Sequence, residues 1–184
     1  MPCRTGPLRY ADTDVLPSSN RGRARSRLRE FLLGRFCLDC GESDPVVLEF
    51  DHVRPPKICA VSRMVSNGST WADIAAEIAK CELVCVNCHR IRTATTHNWY
   101  ANQARQHLYA QIGKVLAGKW CPCGEGDQRV LEFDHVRGEK IESISQLINR
   151  GRAWGTIRSE IKKCQILCAN CHRRKTARER NWHI

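Results

Sequence analysis

Closely spaced cysteine pairs are the residues of this chain with the clearest chemistry. Eight of its twelve cysteines stand in such pairs, each pair beside a glycine or a histidine. Two C-x-x-C pairs are typical of a tetrahedral four-thiolate zinc site, so we expect one structural zinc in each half of the chain. One pair in the second half is C-x-C, which predicts a tighter bite there. The expected zinc ligands are Cys37, Cys40, Cys85, Cys88, Cys121, Cys123, Cys168 and Cys171.

The remaining four cysteines carry no metal prediction. Cys81 and Cys164 are expected to pack in the core, and Cys3 and Cys59 receive no role. The first ~20 residues lack the apolar run of a signal peptide, and no stretch approaches the ~18 apolar residues of a membrane span. We therefore expect a cytoplasmic zinc protein with no membrane partner, rather than a secreted disulfide framework.

An Asp-His pair occurs twice, near the end of two almost identical segments. Residues 46–53 read VVLEFDHV and residues 129–136 read RVLEFDHV, an offset of 83 positions. The same offset relates cysteines, glycines, tryptophans and isoleucines of the two halves, so the chain is two copies of one unit. We predict a flexible N-terminal arm over residues 1–20, a first module over 21–103 and a second module over 104–184.

Both copies have the same predicted elements. Apolar residues at helical spacing predict a first helix through Leu28 and Phe31 in one copy, and through Leu108 and Ile112 in the other. A cysteine turn follows, then a strand over VVLEF or RVLEF that delivers Asp-His at its end. Two short helices, a strand over ELVC or QILC, and a basic helix complete the copy. The predicted class is α+β, and zinc would add the stability that a core of about 80 residues lacks.

The sequence resembles the HNH endonuclease family, also called the ββα-metal or His-Me finger nucleases. The resemblance rests on EFDHV followed by LVCVNCHRIRT in the first copy and by ILCANCHRRKT in the second. It covers nearly the whole chain after residue 30, twice over. It implies two tandem zinc-stabilised ββα-metal modules with additional helices, which form a pseudo-dimer within one polypeptide.

The resemblance also implies a role for each residue of this pattern. His52 and His135 would be the general bases, a role that suits imidazole because it ionises near neutral pH. A catalytic Mg²⁺ or Mn²⁺ ion would neutralise the scissile phosphate and the leaving oxygen. The ligands of that ion would be Asp51 and His89 in the first copy, and Asp134 and His172 in the second.

One position departs from the family pattern. The middle asparagine of the HNH motif, about nine residues before the helix histidine, orients the general base in the family. Lys80 and Lys163 stand at this position, and a lysine cannot accept the hydrogen bond that an asparagine carbonyl can. Either another residue orients the base, or the lysine contacts phosphate instead.

An excess of basic residues predicts a polyanionic partner. Lysine and arginine total 30 against 19 acidic residues, a formal net charge of +11, and basic side chains near phosphate gain from counterion release. Beside a phosphodiester cleft, these side chains are expected to contact double-stranded DNA. The candidates are Lys57, Lys140, Arg21, Arg23, Arg25, Arg90, Arg92, Arg173, Arg174 and Lys175.

The expected function is therefore that of a phosphodiester hydrolase, a metal-dependent DNA endonuclease whose two centres cut both strands. A restriction, phage or homing role would each fit this expectation. The alternative is a zinc-module protein that binds nucleic acid without cleaving it, or that has one active centre and nicks one strand. DNA and RNA both remain possible substrates, and a single chain that is already pseudo-dimeric could still form a homodimer.

Overall fold

The computed structural model describes residues 19–96 and 105–182. Within these ranges it has eight α-helices and two two-stranded antiparallel sheets, which confirms the α+β class. The predicted N-terminal arm, residues 1–20, lies almost wholly outside the described residues. In the same described ranges, no helix combines the length and the apolar composition that crossing a bilayer requires.

The described part of the first repeat contains the elements in the predicted order. They are α1 (Asn20–Leu32), a 3₁₀ turn (Pro45–Val47), β1 (Leu48–His52), α2 (Val61–Asn67), α3 (Trp71–Ile78), β2 (Cys81–Cys85) and α4 (Val86–Thr96). The strand predicted over VVLEF begins two residues late because Asp44 accepts a hydrogen bond from the backbone N–H of Val46, which favours a turn.

The second repeat has the same order of helices and strands. They are α5 (Gln106–Leu116), β3 (Leu131–His135), α6 (Ile144–Asn149), α7 (Trp154–Ile161), β4 (Cys164–Cys168) and α8 (Ala169–Glu179). Helices α1, α3 and α6 each begin with a side chain that caps the helix. Thr70 accepts the N–H of Asp73 at the start of α3, and Ser143 with Gln146 forms a full capping box at α6.

Each sheet is an antiparallel pair whose second strand leads directly into a helix. In the first repeat β1 and β2 are antiparallel, with Asp51 opposite Glu82. Side chains alternate along a strand, so Glu49 and Asp51 face one side of β1 and His52 faces the other. Because α4 begins at Val86, directly after β2, the second cysteine pair spans the strand end and the first helical turn.

The described residues divide into two compact units. The Asp51 unit consists of residues 19–89 and 173–182, and the Asp134 unit consists of residues 90–96 and 105–172. The division falls inside α4 and α8, so each unit holds the sheet of one repeat and the later part of the last helix of the other repeat. The module limits at residue 103 remain a prediction.

Each unit has its own apolar core. In the Asp51 unit this core packs the first helix against α2 and α3, and its buried members are Ala24, Val61, Met64, Val65, Ile74 and Ile78. In the Asp134 unit the equivalent cluster contains Leu108, Ile144, Leu147, Ile148 and Ile157. Cys81 and Cys164 pack against these clusters, as predicted.

Candidate metal and catalytic centres

The eight paired cysteines converge into two groups of four. In each group the Sγ atoms lie within 4.8 Å of one another, so each group could hold a metal ion. Cys40 Sγ lies 3.7 Å from Cys85 Sγ, and Cys123 Sγ lies 3.8 Å from Cys168 Sγ. Thiolates at about 2.3 Å from a tetrahedral zinc stand about 3.8 Å apart, so the donor type and spacing fit zinc. The group that contains the C-x-C pair is therefore as compact, by these distances, as the group with two C-x-x-C pairs.

Tight turns bring the first cysteine pair of each group into position. In the first repeat Gly41 donates its N–H to the carbonyl of Cys37 at 2.9 Å and has a φ of 75°, a conformation that glycine adopts without strain. Burial and the charge of Cys85 raise the pKa of the Cys40 thiol to about 12. Four thiols held together in this way need a cation before they ionise together.

His89 lies between two carboxylates on one face of β1. Its Nδ1 is 2.8 Å from Glu49 Oε2, and its Nε2 is 3.5 Å from Asp51 Oδ1. The hydrogen bond that His89 donates to Glu49 raises the pKa of His89 against an opposing effect of burial, and the charges of Glu49 and Asp51 raise it further. Burial also opposes ionisation of Glu49, but His89 and Arg173 outweigh it and lower the Glu49 pKa.

The second repeat reproduces this arrangement around His172. Its Nδ1 is 2.6 Å from Glu132 Oε2, and its Nε2 is 3.5 Å from Asp134 Oδ1. Asp134 is buried, and its Oδ2 accepts a hydrogen bond from Gln165 Nε2 at 2.7 Å. In the first repeat the residue equivalent to Gln165 is Glu82, which cannot donate in this way when ionised.

The histidine of each Asp-His pair is held by a buried glutamate. His52 Nε2 lies 2.9 Å from Oε1 of Glu77, a residue of α3 whose side chain is only 1% exposed. Lys80 donates to Glu77 Oε2 at 2.7 Å, and this bond contributes most to a Glu77 pKa of about 2. An ionised carboxylate only accepts, so His52 must donate from Nε2, which leaves the lone pair of the neutral ring on Nδ1.

The second repeat has an equivalent arrangement of histidine, glutamate and lysine. His135 Nε2 lies 3.0 Å from Glu160 Oε1, and Lys163 donates to Glu160 Oε2 at 2.8 Å. The bond from Lys163 is the main cause of a lowered Glu160 pKa. Lys80 and Lys163 thus act on the glutamate that holds the histidine. Of the two possibilities that the sequence left open, the structure shows another residue bonded to the histidine of each Asp-His pair.

A cavity of about 610 Å³ in the Asp51 unit joins the two histidine arrangements. Glu49, His52 and His89 all line it, together with the predicted phosphate contacts Lys57, Arg25 and Arg173. Two imidazoles, a carboxylate and three cationic side chains therefore face one volume. This combination suits an anionic ligand that is bound near a proton acceptor.

The other predicted nucleic-acid contacts lie in different surroundings. Arg21 and Arg23 are exposed on α1, which contains this arginine run from Asn20 onward, and Lys140 is exposed after β3. Arg92 and Lys175 are half-buried on α4 and α8. Arg90 forms an ion pair with Glu132.

Arg174 differs from the other candidates because its side chain is only 3% exposed. Arg174 Nη2 lies 2.6 Å from Glu42, and its Nε lies 2.6 Å from Asp44. These two carboxylates raise the guanidinium pKa, although burial opposes them. A buried arginine that is already paired is unsuited to a phosphate contact, so we assign Arg174 to the stability of the Asp51 unit and correct the sequence-based prediction.

The sequence interpretation missed the glutamates of both arrangements. Glu49 was detectable because it stands two residues before Asp51 in a segment that is repeated without change, and alternate strand residues share a face. Glu77 was detectable because it repeats at Glu160 and lies between Ile74 and Ile78 on the apolar face of a short helix. A charged residue on such a face needs a buried partner.

Comparisons with known proteins identify no relative. No family model, no curated protein and no solved structure matches the chain.

Proposed function

We propose that the chain is a metal-dependent DNA endonuclease of the HNH type, with one hydrolytic centre in each unit. The observation that supports this proposal best is the geometry of His89. Its Nδ1 side is held by Glu49, its Nε2 side faces Asp51 at 3.5 Å, and it shares a cavity with His52. The same set recurs at His172 with nearly the same distances.

The donors on this face fit a divalent cation. An imidazole lone pair and a carboxylate oxygen 3.5 Å apart attract one another only when a proton or a cation lies between them. Two neighbouring ligands about 2.1 Å from an octahedral ion stand about 3.0 Å apart, so an approach of about 0.5 Å would bring these two atoms to the separation of metal ligands. Metal-binding histidines commonly donate their other N–H to a carboxylate, which is the place of Glu49 here. Mg²⁺ or Mn²⁺ would therefore be held by Asp51 and His89, and by Asp134 and His172.

The bound cation would neutralise the scissile phosphate and the leaving oxygen. His52 would take a proton from the attacking water at Nδ1, because Glu77 holds the Nε2 proton. The ionised Glu77 would then stabilise the imidazolium that forms. Lys57 and Arg25 line the same cavity and would bind the phosphates that flank the bond.

The zinc sites would support these centres mechanically. His89 directly follows Cys88, a member of the first four-cysteine group. A metal ion in that group would fix the start of α4 and thereby the position of His89. The structural metal and the catalytic metal would be different ions with different ligands. Two such centres suit cleavage of both strands of a duplex, and the net charge of +11 suits a polyanionic substrate.

Plasmid cleavage tests this function. Supercoiled DNA with Mg²⁺ should give linear product with the wild type, nicked circles with His52→Ala or His135→Ala, and no product with the double variant. Zinc content and circular dichroism would show that each variant is folded, and a structured RNA in parallel would test substrate preference. Salt-dependent DNA binding without cleavage in Mg²⁺ or Mn²⁺ would contradict the enzymatic function and support the non-catalytic alternative.

One observation favours a nicking enzyme as the second candidate. Asp134 is buried and bonded to Gln165, whereas Asp51 is only partly buried. A metal would therefore enter the second centre less easily. In that case the wild type would only nick the plasmid, and His135→Ala would leave the nicking rate unchanged.

A further inference from the structure

The arginine that follows each C-x-x-C-H segment forms an ion pair with a glutamate of the other repeat. Arg90 follows His89, yet its guanidinium pairs with Glu132. Arg173 follows His172, yet its Nη2 lies 2.6 Å from Glu49 Oε1. The two pairs are related by the same offset of 83 positions as the rest of the repeat, so this exchange is a property of both copies.

Helix geometry explains why the arginine does not serve its neighbouring histidine. Consecutive residues on an α-helix are about 100° apart around the axis, so His89 and Arg90 leave α4 in different directions. The compact units follow the same division. Arg173 belongs to the unit of Glu49 and His89, and Arg90 belongs to the unit of Glu132 and His172.

The glutamate in each set is held at both oxygens. Glu49 accepts from Arg173 at Oε1 and from His89 at Oε2, so the carboxylate has one orientation with both partners satisfied. The side chains of Arg173, Glu49 and His89 are about equally exposed, at 30%, 27% and 32% respectively. Without the arginine the glutamate could rotate towards water, and the His89 ring would lose the contact that directs its Nε2 towards Asp51.

We propose that Arg173 and Arg90 are positioning residues that each repeat supplies to the metal-binding histidine of the other repeat. This inference rests on the proposed function, in which His89 and His172 bind the catalytic cation. Each centre then needs both repeats, and a separated repeat lacks one residue of its own centre. The duplication would then do more than supply two centres, because each centre would need a residue from both copies.

Variants in single-centre backgrounds test the exchange. With His135→Ala only the centre of His52 cleaves, and there we expect Arg173→Gln to lower the nicking rate tenfold or more, the usual effect of losing a residue that orients a metal ligand. Arg90→Gln should stay within about twofold in that background. With His52→Ala the two effects should be reversed.

Arg173→Lys should retain more activity than Arg173→Gln. Arg178 is an exposed arginine of the same helix, and Arg178→Gln is the matched control.

A second readout uses the zinc-loaded protein and needs neither the catalytic cation nor cleavage. In long-range ¹H–¹⁵N spectra of the histidine side chains, Arg173→Gln should shift and broaden the Nδ1–H signal of His89 and leave that of His172 unchanged. Arg90→Gln should do the reverse. Failure of wild-type cleavage would remove the proposed function while these spectra still decide the exchange. Equal effects on both histidines, or an effect on the histidine of the same repeat, would overturn the inference even in an active enzyme.

Discussion

Glu77 Oε1 lies 2.9 Å from His52 Nε2, and Glu160 Oε1 lies 3.0 Å from His135 Nε2. A buried glutamate thus holds the histidine that follows the aspartate in both repeats. Three further donors surround Glu77, namely Lys80 and the backbone N–H groups of Ile58 and Cys59. Because the Glu77 carboxylate accepts all these hydrogen bonds, it stays ionised and acts as a fixed anion rather than as a proton donor.

We predict that Glu77→Gln lowers the cleavage rate of the first centre. A glutamine amide can still accept a hydrogen bond, but it does not carry the charge that stabilises an imidazolium. In the His135→Ala background kcat should fall by about tenfold to a hundredfold with little change in KM, as expected for a partner that orients a catalytic group. Glu160→Gln in the same background is the control and should have no effect. An unchanged kcat in folded Glu77→Gln would contradict the role.

The low pKa of Glu77 predicts a defined dependence of stability on pH. The pKa is about 2 in the folded protein against an ordinary 4.5, so ionised Glu77 stabilises the fold fully above pH 4.5. This contribution should decline as the pH falls from 4.5 towards 2. The free energy of unfolding should therefore differ between wild type and Glu77→Gln by a constant amount above pH 4.5 and by less below it.

The measurement uses protein loaded with Cd²⁺, a soft ion that thiolates retain to lower pH than zinc, and includes only the pH values at which metal analysis finds both four-cysteine groups occupied. Denaturant titrations of both proteins at each pH give the difference. A difference that grows as the pH falls would have the wrong sign for a carboxylate with a lowered pKa.

Much of the secondary structure could be predicted from local patterns. The alternation in LEF predicts a strand, Thr70 predicts the start of a helix, and the apolar spacing around Val61 and Met64 predicts a short helix. Each pattern acts over a few residues, and β1, α3 and α2 lie at these positions. The four-cysteine groups could be predicted because zinc ligands have short, regular spacing. Asp51 and His89 were also paired in advance, and the structure places them 3.5 Å apart.

The remaining parts of the site depend on distant packing. His52 and Glu77 are 25 residues apart, and only the docking of α3 against the sheet of β1 and β2 brings them together. Arg173 and Glu49 belong to different repeats and are far apart in the sequence, so no local rule predicts that they pair. The position equivalent to Arg174 is Ile91, which packs against a second apolar cluster of the Asp134 unit around Val130 and Leu131, so the repeat itself did not predict a buried arginine.

Arg174 should contribute strongly to stability. Its guanidinium is buried between Glu42 and Asp44, and removing it leaves two carboxylates without their cation. We expect Arg174→Ala to lower the free energy of unfolding by about 3–5 kcal/mol, the usual effect of breaking a buried ion pair. Urea denaturation of the zinc-loaded protein would measure this change. The exposed control Arg178→Ala should change stability by less than about 0.5 kcal/mol, and an equally small effect of Arg174→Ala would show that the pair is not structurally important.

Removal of zinc should unfold both units. Zinc binding provides about 10–16 kcal/mol of folding free energy in small metal modules, more than a core of this size can replace. Metal analysis should find two zinc ions per chain, and Cys40→Ser or Cys123→Ser should each reduce this to one. Cys81→Ser, outside both groups, is the control and should retain two. A wild type with fewer than two zinc ions, or with normal stability in a chelator, would count against these sites.

The two centres should differ in their affinity for the catalytic cation. Glu82 stands opposite Asp51 in the first sheet, whereas its equivalent Gln165 is neutral and donates to Asp134 at 2.7 Å. A carboxylate about 4 Å from a unit positive charge contributes about 1 kcal/mol when bulk water screens the pair, or about fivefold in Kd. With His172→Ala present to disable the second centre, Glu82→Gln should raise the Kd for Mn²⁺ by about three- to tenfold in titrations followed by electron paramagnetic resonance.

Glu30→Gln makes the same change of charge at an exposed position of α1 and should leave the Kd unchanged. Gln165→Glu in a His89→Ala background should lower the Kd of the second centre, and an identical response to Glu82→Gln and Glu30→Gln would show that Glu82 does not contribute to metal binding.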